Sequence, residues 1–333
     1  MPLTNASYNQ LVTAIGTTLQ TARENAFKAV NTELVKANWE IGKHIVEFEQ
    51  QGKQKADYGS ALLANLARDL KLNFGKGFSR SNLQVMRLFY IAYPICQTLS
   101  GKLSWSHYAE LTTISNELAR SFYEKQTVIE NWSYREMKRQ IDSSLFERLA
   151  LSTDKKGVMQ LAHKGQIATQ PVGLIKDPYV FEFLNIPKNA IVKERGLEKK
   201  LIDNLQQFLL ELGKGFSFVA RQFKITVDNE HLFVDLVFYH RILKCFVLID
   251  LKINKVKHQD IGQMNLYLNY FKEEENTEGD NEPIGIIIAA DKHDFLVKYA
   301  TGGLSNKIFV SKYQLYLPDK QLLEQKLKEI IEH

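Results

Sequence analysis

Cysteine is nearly absent from this sequence, because Cys96 and Cys245 are the only two in 333 residues and they lie far apart in apolar surroundings. A disulfide framework or a zinc site needs several cysteines, or cysteines with histidines, at short and regular spacings. The sequence therefore excludes both as organising features. We expect two reduced core residues in a cytoplasmic protein.

Long apolar runs are also missing. No stretch approaches the roughly 18 to 20 apolar residues that a membrane-spanning helix needs, so no membrane partner is expected. The first residues, MPLTNASYNQ, lack the basic start and apolar core of a secretory signal. A cytoplasmic location follows as the expectation.

The sequence also has only a small excess of one charge sign. Lysine and arginine together number 43 against 38 acidic residues, for a net charge of +5. This excess permits a nucleic-acid partner but does not argue for one alone. The length fits roughly two domains of about 150 residues, each with its own core.

Helical periodicity dominates residues 1–151, which we assign to an all-helical N-terminal domain. Apolar residues recur there at steps of three and four for about ten turns at the start of the chain. Ser79 or Ser81 is the expected N-cap of a later helix. Ser133 and Glu136 have the spacing of a capping box, which predicts the start of another helix.

The pattern changes in the second half. Residues 152–190 hold three of the seven prolines and no sustained period, which predicts a connecting segment. Residues 191–333 then read as helix, three strands, helix, strand, short helix, strand and terminal helix. This order predicts a mixed α/β sheet flanked by helices.

Three charged residues interrupt the strands of the second domain. In VDLVFYHRILKCFVLIDLKIN, Asp235 opens one strand, and Asp250 and Lys252 end the next. A hairpin brings these ends together, and residues two apart share one face of a strand. Two converging carboxylates repel each other, and a hard cation such as Mg²⁺ relieves that repulsion through oxygen ligation. A lysine beside the ion completes an arrangement suited to phosphodiester hydrolysis.

The alternative is a structural salt bridge between Asp250 and Lys252 on the solvent face of a strand, with Asp235 as a charge that protects a sheet edge. The apolar run CFVLI just before Asp250 weighs against this alternative. Such a run is typical of a strand covered on both faces, where an unpaired charge is costly.

These residues resemble a nuclease superfamily. Asp235 followed by Asp250-Leu251-Lys252, in a helix–strand–strand–strand–helix–strand order, is similar to the PD-(D/E)XK nucleases. Gln263-Met-Asn-Leu-Tyr267 matches the Q-x-x-x-Y element of their RecB-like branch. More closely, GFSFVARQFKI, DLVFYHR, DLK and GQMNLYL resemble the bacterial YhcG family, and NWEIGKHI, GFSRSNLQVMRLFY and LSWSH resemble its helical N-terminal domain. The resemblance covers nearly the whole chain.

The resemblance implies a restriction-endonuclease-like domain that uses Mg²⁺ or Mn²⁺. The implied metal ligands are Asp235, Asp250, the backbone carbonyl of Leu251, and Glu198 in the helix before the strands. The implied catalytic lysine is Lys252, and Gln263 and Tyr267 would position the ligands, the lysine or the substrate. Asp250 departs from the E-x-K form that is commoner in this branch, although aspartate also occurs in the superfamily.

Each accessory residue has a structural alternative. Glu198 could be a surface residue favoured in the first turn of a helix by the dipole. Gln263 lies three residues after Asp260 and could belong to a helix cap. Tyr267 could be an ordinary core residue.

Basic side chains in the helical half suggest a nucleic-acid contact. The segment around NFGKGFSRSNLQ has helix-turn-helix proportions, and a second basic helix follows at SYREMKRQI. The candidate residues are Lys76, Arg80, Arg87, Arg135, Lys138 and Arg139. Basic groups at helix N-termini suit phosphate contacts, and a helix fits the major groove. Equally, any amphipathic helix carries charges on its wet face.

The sequence therefore predicts a metal-dependent nuclease that acts on nucleic acid, with DNA as the expected substrate, in DNA processing or in defence linked to restriction. The alternative is a non-catalytic nucleic-acid-binding or protein-interaction module with a nuclease fold. A homodimer would suit cleavage of both strands, and a restriction–modification or defence-system subunit is a further candidate partner.

Overall fold

A computed structural model describes most of the chain. The described residues are 5–51, 61–96, 99–151, 155–166, 171–187, 190, 193–227, 230–291 and 307–332. The polar stretch at residues 52–60 and the short helix predicted after the fourth strand lie outside them. Two compact units, Met1–Arg120 and Ser121–His333, divide the chain. The sequence-based boundary at residue 151 stays a prediction.

The first unit is helical, as its periodicity predicts. Its helices are α1 (Asn5–Gln51), α2 (Leu62–Phe74), α3 (Arg80–Ala92) and α4 (Trp105–Leu111), and α5 (Glu117–Glu130) begins here and crosses the division. The side chain of Ser79 caps α3 by accepting a hydrogen bond from the backbone N–H of Asn82, at 3.1 Å, so Ser79 and not Ser81 is the cap.

The long helix α1 packs closely against α3. A Cβ atom at Gly42 would lie 2.0 Å from the backbone oxygen of Met86, so only glycine permits this approach. The indole N–H of Trp39 donates to the backbone carbonyl of Tyr93, at 2.6 Å. Buried Leu83 completes the contact. The close approach at Gly42 therefore sets the point at which α1 and α3 cross.

The second unit begins with short helices. They are α6 (Tyr134–Asp142), α7 (Leu145–Ala150) and α8 (Lys155–Lys164). Ser133 and Glu136 form the predicted capping box at the start of α6. The apolar period continues from SYREMKRQI to residue 150, but Ser144 adopts a left-handed conformation with φ of 52° and separates α6 from α7. The local break is the physical reason for two helices.

A six-stranded mixed sheet follows, in the order β1-β6-β5-β4-β3-β2. Its strands are β1 (Tyr179–Val180), β2 (Phe216–Val227), β3 (Glu230–His240), β4 (Cys245–Lys255), β5 (Ile284–Asp291) and β6 (Lys307–Gln314). Strands β2, β3 and β4 pair antiparallel, and β4, β5, β6 and β1 pair in parallel. The predicted fold class, a helical region followed by a mixed sheet, is confirmed.

The helices around the sheet include two that the sequence predicted as one. They are α9 (Glu194–Asp203) and α10 (Leu205–Leu212), then α11 (His258–Tyr270) with a π-helical turn at Phe271–Glu275, and α12 (Lys320–Glu332). Short 3-10 helices lie at Pro171–Leu174 and Glu182–Leu184. The segment predicted to connect the domains also supplies β1, which pairs with β6.

Each face of the sheet carries its own core. On one face, Leu197 and Phe208 pack against Phe238 and Ile249. On the other face, Tyr267 of α11 packs among neighbours such as Leu248. Strand β4 is therefore covered on both sides, as its unbroken apolar run predicts. Among the described residues, no helix is long and apolar enough to cross a membrane.

Candidate active site at the β3–β4 hairpin

The register of the central hairpin brings two carboxylates together. Leu236 lies opposite Ile249, so Asp235 stands opposite Asp250 one step further along the same antiparallel register. Opposite residues of such a pair project from the same face of the sheet. The Oδ2 atom of Asp235 also accepts a hydrogen bond from the backbone N–H of Leu251, at 2.8 Å. The hairpin therefore fixes both the strand position and the side-chain orientation of Asp235.

Asp250 is a buried carboxylate in an unfavourable electrostatic setting. Only 3% of the residue is exposed. Burial raises the pKa of Asp250 well above its ordinary value, and the nearby charge of Asp235 raises it further. A carboxylate that is buried beside another carboxylate is costly unless a cation compensates it.

Lys252 is the cation that meets Asp250. Its Nζ atom lies 2.7 Å from the Oδ2 atom of Asp250, and the two side chains are 18% and 4% exposed. Burial lowers the pKa of Lys252, but Asp250, Asp260 and Asp235 together raise it by more, so that the net pKa lies above its ordinary value. The salt bridge between Asp250 and Lys252 that we considered as a structural alternative is therefore present. It lies in the interior, however, and not on a solvent-exposed face of the strand. Among the described residues, Oδ2 of Asp250 is buried and has no hydrogen-bond partner besides this ion pair.

A second acidic residue approaches the same lysine. Asp260, in the first turn of α11, has its Oδ1 atom 3.9 Å from Nζ of Lys252. Its other oxygen accepts a hydrogen bond from the backbone N–H of Lys257, at 2.7 Å, and so caps the helix. Sequence reasoning did not place Asp260 at the site, although an acid in the first turn of the next helix was a usable signal.

Glu198 lies in the interior and reaches Asp235 through another side chain. Glu198 is 1% exposed, so the surface alternative does not hold. The side-chain amide nitrogen of Gln222 donates to Oε2 of Glu198 at 2.7 Å and to Oδ1 of Asp235 at 2.9 Å. Arg221 forms an ion pair with the other oxygen of Glu198. Neither Arg221 nor Gln222 was singled out from the sequence, and two consecutive polar residues inside a predicted strand were the available signal.

Gln263 and Tyr267 form a linked pair on α11. Tyr267 is fully buried, and its hydroxyl donates to the backbone carbonyl of Phe233 at 2.9 Å. The amide of Gln263 in turn donates to that hydroxyl. Burial raises the pKa of Tyr267 to about 12, and the charges of Asp250 and Asp235 contribute. Tyr267 is thus a core residue whose polar end supports the strand that carries Asp235.

The helix-cap alternative for Gln263 does not hold. The capping box of α11 is formed by Lys257 and Asp260, and Gln263 bonds to Tyr267 instead. The pair therefore joins α11 to β3 two residues before Asp235.

The donor set fits a small, hard cation. Among the described residues, no three Asp, Glu, His or Cys side chains are grouped closely enough to hold a metal by themselves. Mg²⁺ commonly binds through one or two carboxylates and keeps several waters, which matches Asp235 and Asp250. The N–H of Leu251 faces Asp235, and in an antiparallel pair the N–H and carbonyl of one residue face the same strand. The Leu251 carbonyl is therefore on the correct side to contribute.

The predicted nucleic-acid-binding residues of the first unit differ in their availability. Lys76 and Arg80 are exposed at the turn between α2 and α3. Arg87 instead pairs with Glu49 through two hydrogen bonds, at 2.7 and 3.0 Å. Its guanidinium is engaged within its own unit.

The basic residues of α6 also differ. Arg135 is exposed. Lys138 lies 3.9 Å from Asp142, one turn further along the helix. Arg139 donates to both carboxylate oxygens of Glu182, at 2.8 and 3.1 Å, so its charge is committed to the fold.

Two family descriptions match the chain. The YhcG PDDEXK nuclease domain matches residues 172–328, and the DUF1016 N-terminal domain matches residues 14–148. A protein of Escherichia coli (strain K12) named "Putative nuclease YhcG" is 38% identical over 97% of this chain and 94% of its own length. The resemblance read from the sequence motifs, and the nuclease part of the predicted fold class, are confirmed.

Parts of solved structures are also similar. A repair endonuclease from Pyrococcus abyssi shares 20% identity with a TM-score of 0.28, and covers 40% of this chain and 50% of its own. EndoMS in its complex with double-stranded DNA shares 14% identity with a TM-score of 0.27, over the same proportions. The matched part is thus half of each of those chains.

Proposed function

The chain belongs to the YhcG family of PDDEXK nucleases, and from that membership we propose that it hydrolyses phosphodiester bonds in DNA with the help of Mg²⁺ or Mn²⁺. The observation that carries this proposal is the convergence of Asp235, Asp250 and Lys252 at one end of the β3–β4 hairpin. A fold needs no such cluster for its stability, since each of these charges is costly to bury.

Asp235, Asp250 and the carbonyl of Leu251 would hold the metal ion, with Glu198 joined to this set through Gln222. A bound divalent ion supplies Lewis-acid polarisation of a phosphate and an activated water. Lys252 contributes an ammonium beside Asp250, where it neutralises charge that develops on the phosphate.

Gln263 and Tyr267 would act by positioning the strand that carries Asp235. Their hydrogen bonds hold α11 against the backbone of Phe233, and Phe233 lies on the strand that presents Asp235. A ligand held on a fixed strand loses little freedom when the ion binds, so this support favours a precise site.

Exposed basic residues would hold the nucleic acid. Lys76, Arg80 and Arg135 are free to make phosphate contacts at the surface of their helices or turns. The proposal does not extend to Arg87 and Arg139, because Glu49 and Glu182 engage their guanidinium groups. A homodimer and a restriction–modification or defence partner stay predictions, which light scattering and co-purification would test.

The test is cleavage of supercoiled, linear and single-stranded DNA in Mg²⁺ and in Mn²⁺ by the wild type and Lys252→Ala. Lys255→Ala is the matched control, since this lysine lies on the same strand but is 54% exposed and pairs with Asp291. We expect metal-dependent cleavage that is lost only in Lys252→Ala, while all three proteins bind DNA equally. DNA binding by the wild type without any cleavage would contradict the proposal and favour a non-catalytic binding module.

A further inference from the structure

Gln222 adopts a backbone conformation that its residue type disfavours. Its φ of 50° lies in the left-handed region, although it stands in the middle of β2. A non-glycine residue there carries a conformational cost, and glycine would adopt the same conformation without it. Such outliers persist where the surrounding structure or the function requires them. We therefore expect the glutamine side chain to have a structural or functional role at this position.

The side chain supplies that reason, because one amide nitrogen serves two carboxylates. The Nε2 atom of Gln222 lies 2.7 Å from Oε2 of Glu198 and 2.9 Å from Oδ1 of Asp235. An amide NH₂ has two hydrogens, so it satisfies both oxygens at once. Glu198 belongs to α9 and Asp235 to β3, and the described residues show no direct hydrogen bond between these two side chains.

The chemistry of an amide suits this bridge. Two carboxylates held close together repel each other, and hydrogen bonds to the ionised forms offset that repulsion. A lysine or arginine in the same place would do so too, but its charge would compete with a metal ion for the same carboxylates. The amide is neutral, so it fixes both side chains without adding a second positive charge beside that of Arg221, which already pairs with Glu198.

We propose that Gln222 is a positioning residue that preorganises the metal-binding carboxylates by holding Glu198 and Asp235 at a fixed separation. This inference rests on the proposed function, because it assigns a role toward the metal ion of that same site. The left-handed backbone conformation of Gln222 directs its side-chain amide toward Glu198 of α9 and Asp235 of β3. The unfavourable conformation is retained for the sake of the site and not of the fold.

Gln222→Gly separates these two roles. Glycine relaxes the backbone but also removes the amide from Glu198 and Asp235, and these two effects on stability oppose each other, so the metal-free variant should fold with a melting temperature close to that of the wild type. Loss of a side chain that orients metal ligands commonly weakens metal binding by about 10- to 100-fold. We expect that loss for Mn²⁺, measured by isothermal titration calorimetry without DNA. Lys224→Ala is the matched control, because Lys224 is an exposed residue two positions along the same strand.

Three results would overturn the inference. Unchanged Mn²⁺ affinity in Gln222→Gly, with the wild type binding and cleaving, removes the positioning role and leaves the proposed function standing. A metal-free Gln222→Gly that does not fold cooperatively means that the amide serves the fold. A crystal structure with Mn²⁺ bonded to the side-chain oxygen of Gln222 makes this residue a ligand instead. If the wild type neither binds Mn²⁺ nor cleaves DNA, the proposed function itself fails, which the wild-type titration alone reveals.

Discussion

Arg148 and Glu211 form a fully buried ion pair in the second unit. The Nη1 atom of Arg148 lies 2.8 Å from Oε1 of Glu211, and the two side chains are 1% and 0% exposed. The same carboxylate oxygen accepts a hydrogen bond from the backbone N–H of Val180, at 2.9 Å. Helix α7, helix α10 and strand β1 therefore meet at one carboxylate. This contact ties residues before 151 to the sheet that carries the candidate site.

We expect Arg148→Ala to destabilise the second unit strongly. The variant leaves the buried Glu211 carboxylate with only Arg139 and Lys176 nearby, and removal of one partner of a buried pair costs about 3–5 kcal/mol. Urea unfolding followed by circular dichroism measures it. Lys272→Ala is the matched control, since Lys272 and Glu282 lie 2.7 Å apart but are 48% and 47% exposed. The exposed pair should cost no more than about 1 kcal/mol, and equal losses in the two variants would refute the distinction.

The stability of the second unit should fall in acid because of Glu211. Burial alone would raise its pKa, but Arg148, Lys176 and Arg139 together lower it from 4.5 to about 2. A carboxyl whose pKa is depressed by folding contributes stability that is fully present above pH 4.5 and is lost as the pH falls through about 2. The free energy of unfolding should therefore decline over this window in the wild type.

Glu211→Gln provides the comparison for that pH dependence. The variant has no carboxyl at this position, so its unfolding free energy should decline less steeply between pH 4.5 and about 2. Denaturant melts at several pH values measure both slopes. Parallel profiles for the two proteins would mean that other carboxyls dominate acid unfolding.

The core of the candidate site follows from the sequence because it depends on local geometry. Asp235, Asp250 and Lys252 lie on adjacent strands joined by a short turn, so the period of two and the hairpin register determine their meeting. The strong helical period of α1 and the serine caps are similarly local. Structural features that depend on residues a few positions apart can therefore be predicted from the sequence.

The parts that sequence reasoning missed depend on distant or unusual contacts. Arg148 and Glu211 are 63 residues apart, and no periodicity joins them. The left-handed conformations at Ser144 and Gln222 run against the preferences of their residue types, so propensity predicts a continuous helix and a plain strand there. The bridge between Glu198 and Asp235 depends on such a conformation, which is why it was not predicted.

Asp250→Asn should stabilise the protein when no metal is present. Burial and the charge of Asp235 together outweigh the attraction of Lys252 and raise the pKa of Asp250, so a neutral amide of nearly the same shape should relieve that cost. We expect a melting temperature in EDTA about 2–4 °C higher, corresponding to about 1 kcal/mol for a unit of this size, together with loss of Mn²⁺ binding. Asp203→Asn removes an exposed charge and serves as the control. A lower melting temperature would show that the Asp250–Lys252 pair outweighs the repulsion.

Tyr267→Phe should cost stability out of proportion to the loss of one oxygen. The hydroxyl donates to the backbone carbonyl of Phe233 and accepts from Gln263, so its removal takes one hydrogen bond from each of these two groups. Each lost hydrogen bond costs about 0.5–1.5 kcal/mol. Tyr270→Phe is the control, since the described residues show no hydrogen bond to that hydroxyl. Chemical denaturation of both variants gives the comparison, and equal effects would remove the role assigned to the Tyr267 hydroxyl.

DNA binding by the first unit should depend on Lys76 and Arg80 and not on Arg87. The first two are exposed at the turn between α2 and α3, whereas Arg87 is held by Glu49. Removal of one phosphate contact reduces the slope of log affinity against log salt by about 0.9. We expect Lys76→Ala with Arg80→Ala to flatten this slope by about two such steps in fluorescence anisotropy, and Arg87→Ala to leave it unchanged. A flatter slope in Arg87→Ala alone would mean that DNA displaces Glu49 from this arginine, so that the ion pair seen between them is a resting state of the binding surface.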